Sequence, residues 1–116
     1  MANNFPFQAI NDAGILTITA EIEGKELYPK YHDFFAKHGY EGNGYCWEDH
    51  ITQILERVAP ELLDHIEFDP EGGLFCAYAE NKAYQQQFLD VLNPIFSDLA
   101  QLETHVLLAD RDRIDD

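Results

Sequence analysis

Basic residues are scarce in this sequence of 116 amino acids. It contains 7 lysines and arginines against 22 aspartates and glutamates, so its formal net charge at neutral pH is −15. Proteins that bind nucleic acids need clusters of lysine and arginine for the phosphates, and anionic membrane surfaces attract the same residues. The composition therefore argues against direct binding of nucleic acids or membranes. It favours a basic partner, which a strongly negative field attracts.

Cysteines and long apolar runs are also scarce. Only Cys46 and Cys76 are present, and no apolar run approaches the roughly 20 residues that span a bilayer. The N-terminal sequence MANNFPFQAINDAG has neither the basic region nor the apolar region of a signal peptide. We therefore expect two reduced thiols and a cytoplasmic location.

The sequence does contain enough apolar residues for a folded core. Hydrophobic residues make up 46% and aromatic residues 13% of the chain, which excludes a disordered acidic polymer. The length suits one domain, which we place at residues 1–116. Within it we expect residues 109–116, with the sequence ADRDRIDD, to form a frayed acidic tail.

Two β-hairpins are predicted from the apolar pattern. A short apolar stretch from Phe5 to Ile10 precedes the turn sequence Asn11-Asp12-Ala13-Gly14, and apolar and polar residues alternate after it, from Ile15 to Ile22. The apolar runs at 66–69 and 74–79 flank a second turn, which is rich in proline and glycine. The sequence therefore predicts four strands in two pairs.

Helical spacing predicts the remaining elements. A first helix begins near Pro29, a second is led by Trp47, a third covers 81–92 until Pro94 breaks or kinks it, and a last one follows a capping box of Asp98 and Gln101. The order is β-β-α-α-β-β-α-α. It predicts an α+β fold in which the two hairpins form a mainly antiparallel sheet with helices packed on one face.

The negative charge is concentrated in the middle of the chain. Residues 38–81 carry ten acidic residues against Arg57, a net charge of −9. Aromatic residues alternate with these acids, as in many protein interfaces. Trp47 begins an apolar helix stripe and is predicted in the core, whereas Tyr40, Tyr45 and Tyr78 are better interface candidates. The simpler alternative is an acidic surface that only contacts solvent.

No catalytic or metal-binding motif is apparent. Cys46 and His50 share one helical face, but two ligands do not make a metal site, and packing is the favoured role. Cys76 lies in an apolar run without the basic neighbours that activate a thiol. We therefore predict no catalytic residue, no metal and no cofactor.

Two stretches carry a resemblance to a known family. They are the loop and helix start HGYEGNGYCWE at 38–48 and the hairpin FDPEGGLFCAY at 68–78. Together they resemble immunity proteins of bacterial polymorphic toxin systems, in particular the immunity family numbered fifty-one. The resemblance implies an α+β protein without catalytic activity that binds the C-terminal domain of a cognate toxin. Such toxins are delivered by contact-dependent or secretion systems, and the immunity protein protects the producing cell.

An acidic surface that docks on a basic toxin, such as a nuclease, agrees with both the charge and the resemblance. The resemblance names no toxin-contacting residues, so we choose candidates on physical grounds. They are Tyr40, Glu41, Tyr45, Glu48, Asp49, Asp69, Glu71 and Tyr78. The main alternative is an acidic binding module or DNA mimic that regulates a nucleic-acid-binding protein, and a small metal- or ligand-binding enzyme is less favoured. The sequence leaves open whether the protein is a monomer or a homodimer.

Overall fold

The computed structural model describes residues 5–115. Residues 1–4 and Asp116 lie outside the described residues. The first four begin the N-terminal stretch in which no signal peptide is predicted, and Asp116 ends the expected tail. The strands are β1 (Gln8–Asp12), β2 (Ile15–Ala20), β3 (Ile66–Phe68) and β4 (Phe75–Ala79). The α-helices are α1 (Asp33–Lys37), α2 (Gly44–Val58), α3 (Lys82–Ser97) and α4 (Leu99–Leu108). A π-helical turn (Tyr28–His32) leads into α1, and 3-10 turns cover Pro60–His65 and Arg111–Arg113.

The strands form one antiparallel sheet in the order β1-β2-β4-β3. In the first hairpin, Asp12 pairs with Ile15 across a turn of two residues, Ala13 and Gly14, whose φ angles are 52° and 84°. Two positive φ angles in succession give a turn whose twist matches that of the strands. β2 then pairs with β4 and so joins the two hairpins. The predicted α+β fold with an antiparallel sheet is confirmed.

One face of the sheet is covered by helices and the other is open. Ile18, Ala77 and Phe68 lie side by side across three strands, and Ile18 and Ala77 are fully buried. α3 contacts β1, β2 and β4 on this side, and α2 contacts β4. Their neighbours along the strands, including the paired Glu67 and Tyr78, point to the opposite face, because side chains alternate along a strand.

An aromatic cluster forms the centre of the core. The ring of Phe7 packs edge-on against four other rings at centroid distances of 5.0 to 5.7 Å, namely Trp47, Phe75, Phe88 and Phe96. Such edge-to-face pairs are the preferred geometry of aromatic side chains. Trp47 is fully buried, which confirms its predicted place in the core.

We predicted that Pro94 breaks or kinks the third helix, and the break is wrong, since α3 continues through this residue to Ser97. Proline cannot donate the hydrogen bond of a helix interior, but tertiary packing fixes the chain on both sides of it. The fully buried Asn93 side chain accepts a hydrogen bond from the Phe7 N–H at 2.8 Å and donates one to the Phe7 carbonyl at 3.1 Å. Ile95 follows and is also buried. Pro94 itself lies on the exposed side of the helix.

The C-terminal residues, where we expect a frayed acidic tail, make several contacts with the folded domain. The Gln53 side chain exchanges two hydrogen bonds with the backbone of Asp110, at 2.7 and 3.1 Å, and Arg113 contacts Glu56 through both guanidinium NH2 groups. The Asp115 N–H donates to the Asp49 carboxylate at 2.7 Å. Residues 110–115, which we call the C-terminal segment, therefore run along α2. The two arginines in this charged stretch find carboxylate or carbonyl partners on the folded domain.

No helix within residues 5–115 is long and apolar enough to cross a membrane.

Candidate functional site

The two sequence stretches that carry the family resemblance contact each other. The N–H of Gly44, the first residue of α2, donates to the carbonyl of Gly72 in the β3–β4 turn at 3.0 Å. A Cβ atom on Gly44 would collide with the carbonyl oxygen of Glu71 and would lie 2.8 Å from that of Leu74. Only glycine permits this approach, so the glycine loop and the hairpin turn are built to pack together.

The loop before α2 is held in one conformation. The Asn43 side chain caps α2 by accepting a hydrogen bond from the Cys46 N–H at 2.9 Å. Gly42 has a φ of 74°, and a Cβ atom there would lie 3.0 Å from the Cβ of Phe35. A side chain at Gly42 would therefore be strained by its backbone angle and by close packing.

Tyr40 is buried, which contradicts the prediction that it is an exposed interface residue. Only 6% of it is exposed. The Arg111 guanidinium lies 4.3 Å from the centre of its ring, and the His50 ring packs edge-on at 4.7 Å. Arg111 also donates to the carbonyls of His38 and Gly39, each at 3.0 Å. Tyr40 thus anchors the C-terminal segment, which the sequence alone did not place.

The outward side of α2 brings three predicted residues together. Glu48 and Asp49 follow Tyr45 by about one helical turn, and 44% of Tyr45 remains exposed. We define the acidic helix face as these α2 residues with their acidic neighbours along α2 and the C-terminal segment: Tyr45, Glu48, Asp49, Glu56, Asp110, Asp112 and Asp115. The last three were missed as site residues. The arginines among the acids of ADRDRIDD were the signal that this segment could pair with the domain.

Like charges crowd this face. Burial raises the pKa of the Glu48 carboxyl, and the negative charges of Asp49 and Asp115 raise it further. Arg113 does the opposite at Glu56, where its hydrogen bonds lower the pKa of that carboxyl. At Glu56 the arginine therefore favours the ionised carboxylate, whereas at Glu48 burial and the neighbouring acids disfavour it.

Two further predicted residues, Asp69 and Tyr78, contact each other and not α2. The Tyr78 hydroxyl donates to the Asp69 carboxylate at 3.2 Å, and Tyr78 lies on the open face of the sheet. A hydrogen bond with Cys76 and the negative charge of Asp69 raise the pKa of Tyr78 to about 12. Burial raises the pKa of the Cys76 thiol, so it stays protonated at neutral pH and is a poor nucleophile.

Glu41 and Glu71 lie where the two family stretches meet. Both are exposed, Glu41 in the glycine loop and Glu71 in the hairpin turn. Glu41 lines a cleft with a volume of about 210 Å³, which we call the loop cleft. Its walls include the side chains or backbone of Glu23, Tyr28, His32, Glu41, Asn43 and Gly72.

Cys46 and His50 pack in the core, as predicted. Both are at most 1% exposed, and the His50 ring contacts the rings of Phe35 and Tyr40. Within residues 5–115, no group of three or more His, Cys, Asp or Glu side chains is placed to hold a metal ion.

A protein-family model described as Immunity protein 51 matches residues 24–110. The chain belongs to this family. The match includes both stretches on which the resemblance was based, and it confirms that resemblance. No curated protein and no solved structure matches the chain.

Membership of the Immunity protein 51 family makes the chain an immunity protein, a class whose members bind a cognate toxin. The family points to a binding role. The structural features that matter are therefore the surfaces available to a protein partner: the acidic helix face, the loop cleft and the open face of the sheet.

Proposed function

We propose that this Immunity protein 51 member neutralises a basic toxin domain, such as a nuclease, in the cytoplasm of the producing cell by docking the acidic helix face on it. A nuclease that acts on DNA or RNA needs a cationic groove for phosphates. An inhibitor with a concentrated negative surface can occupy or border that groove. Its field also speeds the encounter, which matters when a lethal enzyme enters the cell.

The crowding around Glu48 is the observation that carries this proposal. In the free protein, partial burial of Glu48 and, beyond it, the charges of Asp49 and Asp115 disfavour ionisation of this carboxyl. A folded protein that retains such repulsion on its surface loses stability by it. A lysine or arginine of a partner placed there would relieve the repulsion, so binding gains more at this position than at an isolated carboxylate.

Tyr45 supplies an aromatic anchor beside these charges. It lies one turn before Glu48 and Asp49, and 44% of it is exposed. Exposed tyrosines surrounded by charged residues often contribute much of the energy of a protein interface. We propose Tyr45 as the anchor of the contact, with the acids around it giving rate and specificity.

The remaining predicted residues, apart from Tyr40, are additional candidate contacts in this proposal. Glu41 and Glu71 lie near the N-terminal end of α2, where the glycine loop meets the hairpin turn. A partner covering Tyr45 can therefore extend to them. Asp69 and Tyr78 lie on the open face of the sheet and form a separate candidate contact. Tyr40 is withdrawn as a direct contact because Arg111 covers its ring.

The test uses the toxin domain encoded next to the gene for this chain, made inactive by mutation. In the double variant Glu48→Lys/Asp49→Lys, we expect Kd to rise by about 100-fold, because reversed charges meet a basic surface. The dependence of Kd on salt should weaken in parallel. Binding is measured by calorimetry at low and high salt, and protection is measured as growth on co-expression with the active toxin.

The matched control is Glu61→Lys/Asp90→Lys, which makes the same change in net charge at two exposed positions of the 3-10 turn and α3. We expect it to change Kd by less than about 5-fold, since it acts only through the long-range field. Equal effects of the two double variants would show that net charge alone matters. An unchanged Kd and salt dependence in Glu48→Lys/Asp49→Lys would refute the proposal.

A further inference from the structure

The loop cleft is of a size that suits a single amino-acid side chain. Its volume of about 210 Å³ lies below the roughly 300–1,000 Å³ of typical small-molecule pockets. It opens between the segment before α1, the glycine loop and the hairpin turn, and so lies where the two family stretches meet. A projecting side chain of a partner is the occupant that such a cleft can enclose.

The walls of the cleft are fixed before any partner binds. Gly44 links the glycine loop to Gly72 by its hydrogen bond of 3.0 Å, and the Glu23 N–H donates to the Gly73 carbonyl at 3.3 Å. The Glu23 side chain rests against Gly73, where a Cβ atom would lie 2.6 Å from the carboxylate oxygen. A preformed pocket loses little conformational entropy on binding.

The chemistry of the walls selects a cation with a planar, apolar face. Glu23 and Glu41 are the acidic residues among those that line the cleft, and none of its described lining residues is lysine or arginine. The Tyr28 ring stacks on His32 at a centroid distance of 4.6 Å and is 45% exposed. A guanidinium can both pair with carboxylates and stack on an aromatic ring, whereas an ammonium is a compact point charge.

We infer that the loop cleft receives an arginine side chain of the toxin, which pairs with Glu23 and Glu41 and stacks against Tyr28. This inference rests on the proposed function, because it assumes a basic toxin. It adds a second, structured contact to the acidic helix face and would give specificity through shape as well as charge. Neither Glu23 nor Tyr28 was among the residues selected from the sequence.

The test compares two double variants against the same inactive toxin domain. Glu23→Gln/Glu41→Gln keeps the shape of the cleft and removes its charge, and we expect Kd to rise by about 30-fold. The control Glu61→Gln/Asp90→Asn removes the same charge elsewhere and should change Kd by less than about 3-fold. Thermal unfolding of each variant establishes that it is folded.

The aromatic contact is tested separately. Tyr28→Phe should keep toxin affinity within about 2-fold because the ring remains, and Tyr28→Ala should lose about 10-fold. A charge swap identifies the toxin residue. Each arginine of the toxin surface is replaced by glutamate in turn, and each toxin variant is tested against Glu41→Arg. One of these toxin variants should restore binding to Glu41→Arg.

The outcomes separate this inference from the proposed function. If the toxin domain does not bind the unmodified protein, or binds without regard to Glu48→Lys/Asp49→Lys, the proposed function fails. If that double variant weakens binding while Glu23→Gln/Glu41→Gln and Tyr28→Ala bind as the unmodified protein does, the proposed function stands and the arginine site is refuted.

Discussion

Glu48 shows how one residue can be poor for stability and useful for binding. Its carboxyl is partly buried on α2 and faces the negative charges of Asp49 and Asp115, which together raise its pKa. Because the raised pKa belongs to the folded state, folding favours the protonated form. At neutral pH the ionised Glu48 therefore destabilises the free protein, and a cationic partner would offset the part of this effect that comes from Asp49 and Asp115.

We predict that Glu48→Gln is more stable than the unmodified protein at pH 7, by about 0.5 kcal/mol, a small gain because Glu48 is only partly buried and water screens its charge. The gain should vanish below the ordinary glutamate pKa of 4.5, where both states are protonated, and grow as pH rises through the raised pKa. Urea unfolding at several pH values measures it. A variant that is less stable at pH 7, or a gain that persists at pH 3.5, would contradict this account.

At the scale of elements, the close contact between α2 and the β3–β4 turn organises the candidate site. The first residue of α2, Gly44, lies so close to Glu71 that there is no space for a side chain. This contact joins helix, loop and sheet, and it forms one side of the loop cleft. The contact therefore couples the stability of the fold to the shape of the surface presented to a toxin.

We predict that Gly44→Ala lowers the free energy of unfolding by about 1–3 kcal/mol, the usual cost of overpacking. Gly72→Ala is the control: it lies in the same contact, but a Cβ atom there has nothing within 4 Å, so we expect a change within about 0.5 kcal/mol. Chemical denaturation measures both. Equal losses in the two variants would mean that the close approach at Gly44 is not the cause.

At the scale of the whole molecule, the net charge of −15 opposes folding and favours association. Ion pairs such as Lys37–Glu103 and Arg113–Glu56 compensate part of it, but 22 acidic residues face only 7 lysines and arginines. Repulsion among the acids costs stability in the free protein. The same field attracts a basic toxin over distances longer than any single contact.

We therefore predict opposite effects of salt on folding and on binding. Raising NaCl from about 50 to about 500 mM shortens the screening length from about 14 to about 4 Å. The Tm of the free protein should rise by about 4 °C, equivalent to about 1 kcal/mol, while toxin affinity falls. Glu61→Lys/Asp90→Lys, with less net charge, should gain less in Tm. A Tm that falls with added salt would contradict the argument.

Much of the fold follows from local sequence patterns. The alternation that begins at Ile15 and the capping residue Asp98 specify their elements through contacts between near neighbours, and the structure contains both elements. The predicted turn Asn11–Gly14 narrows to Ala13-Gly14, because Asn11 and Asp12 pair with β2. The continuation of α3 through Pro94 does not follow from local pattern. It depends on Asn93 bonding to Phe7, a residue 86 positions away.

The candidate site divides in the same way. The excess of acid, its concentration around the glycine loop and α2, and the family of the chain follow from residue identity and order. The folded arrangement alone places Arg111 over Tyr40, joins the C-terminal acids to the α2 face, and brings Glu23 and Tyr28 to Glu41 at one cleft. These are contacts between distant segments, which the packing of the whole chain brings together.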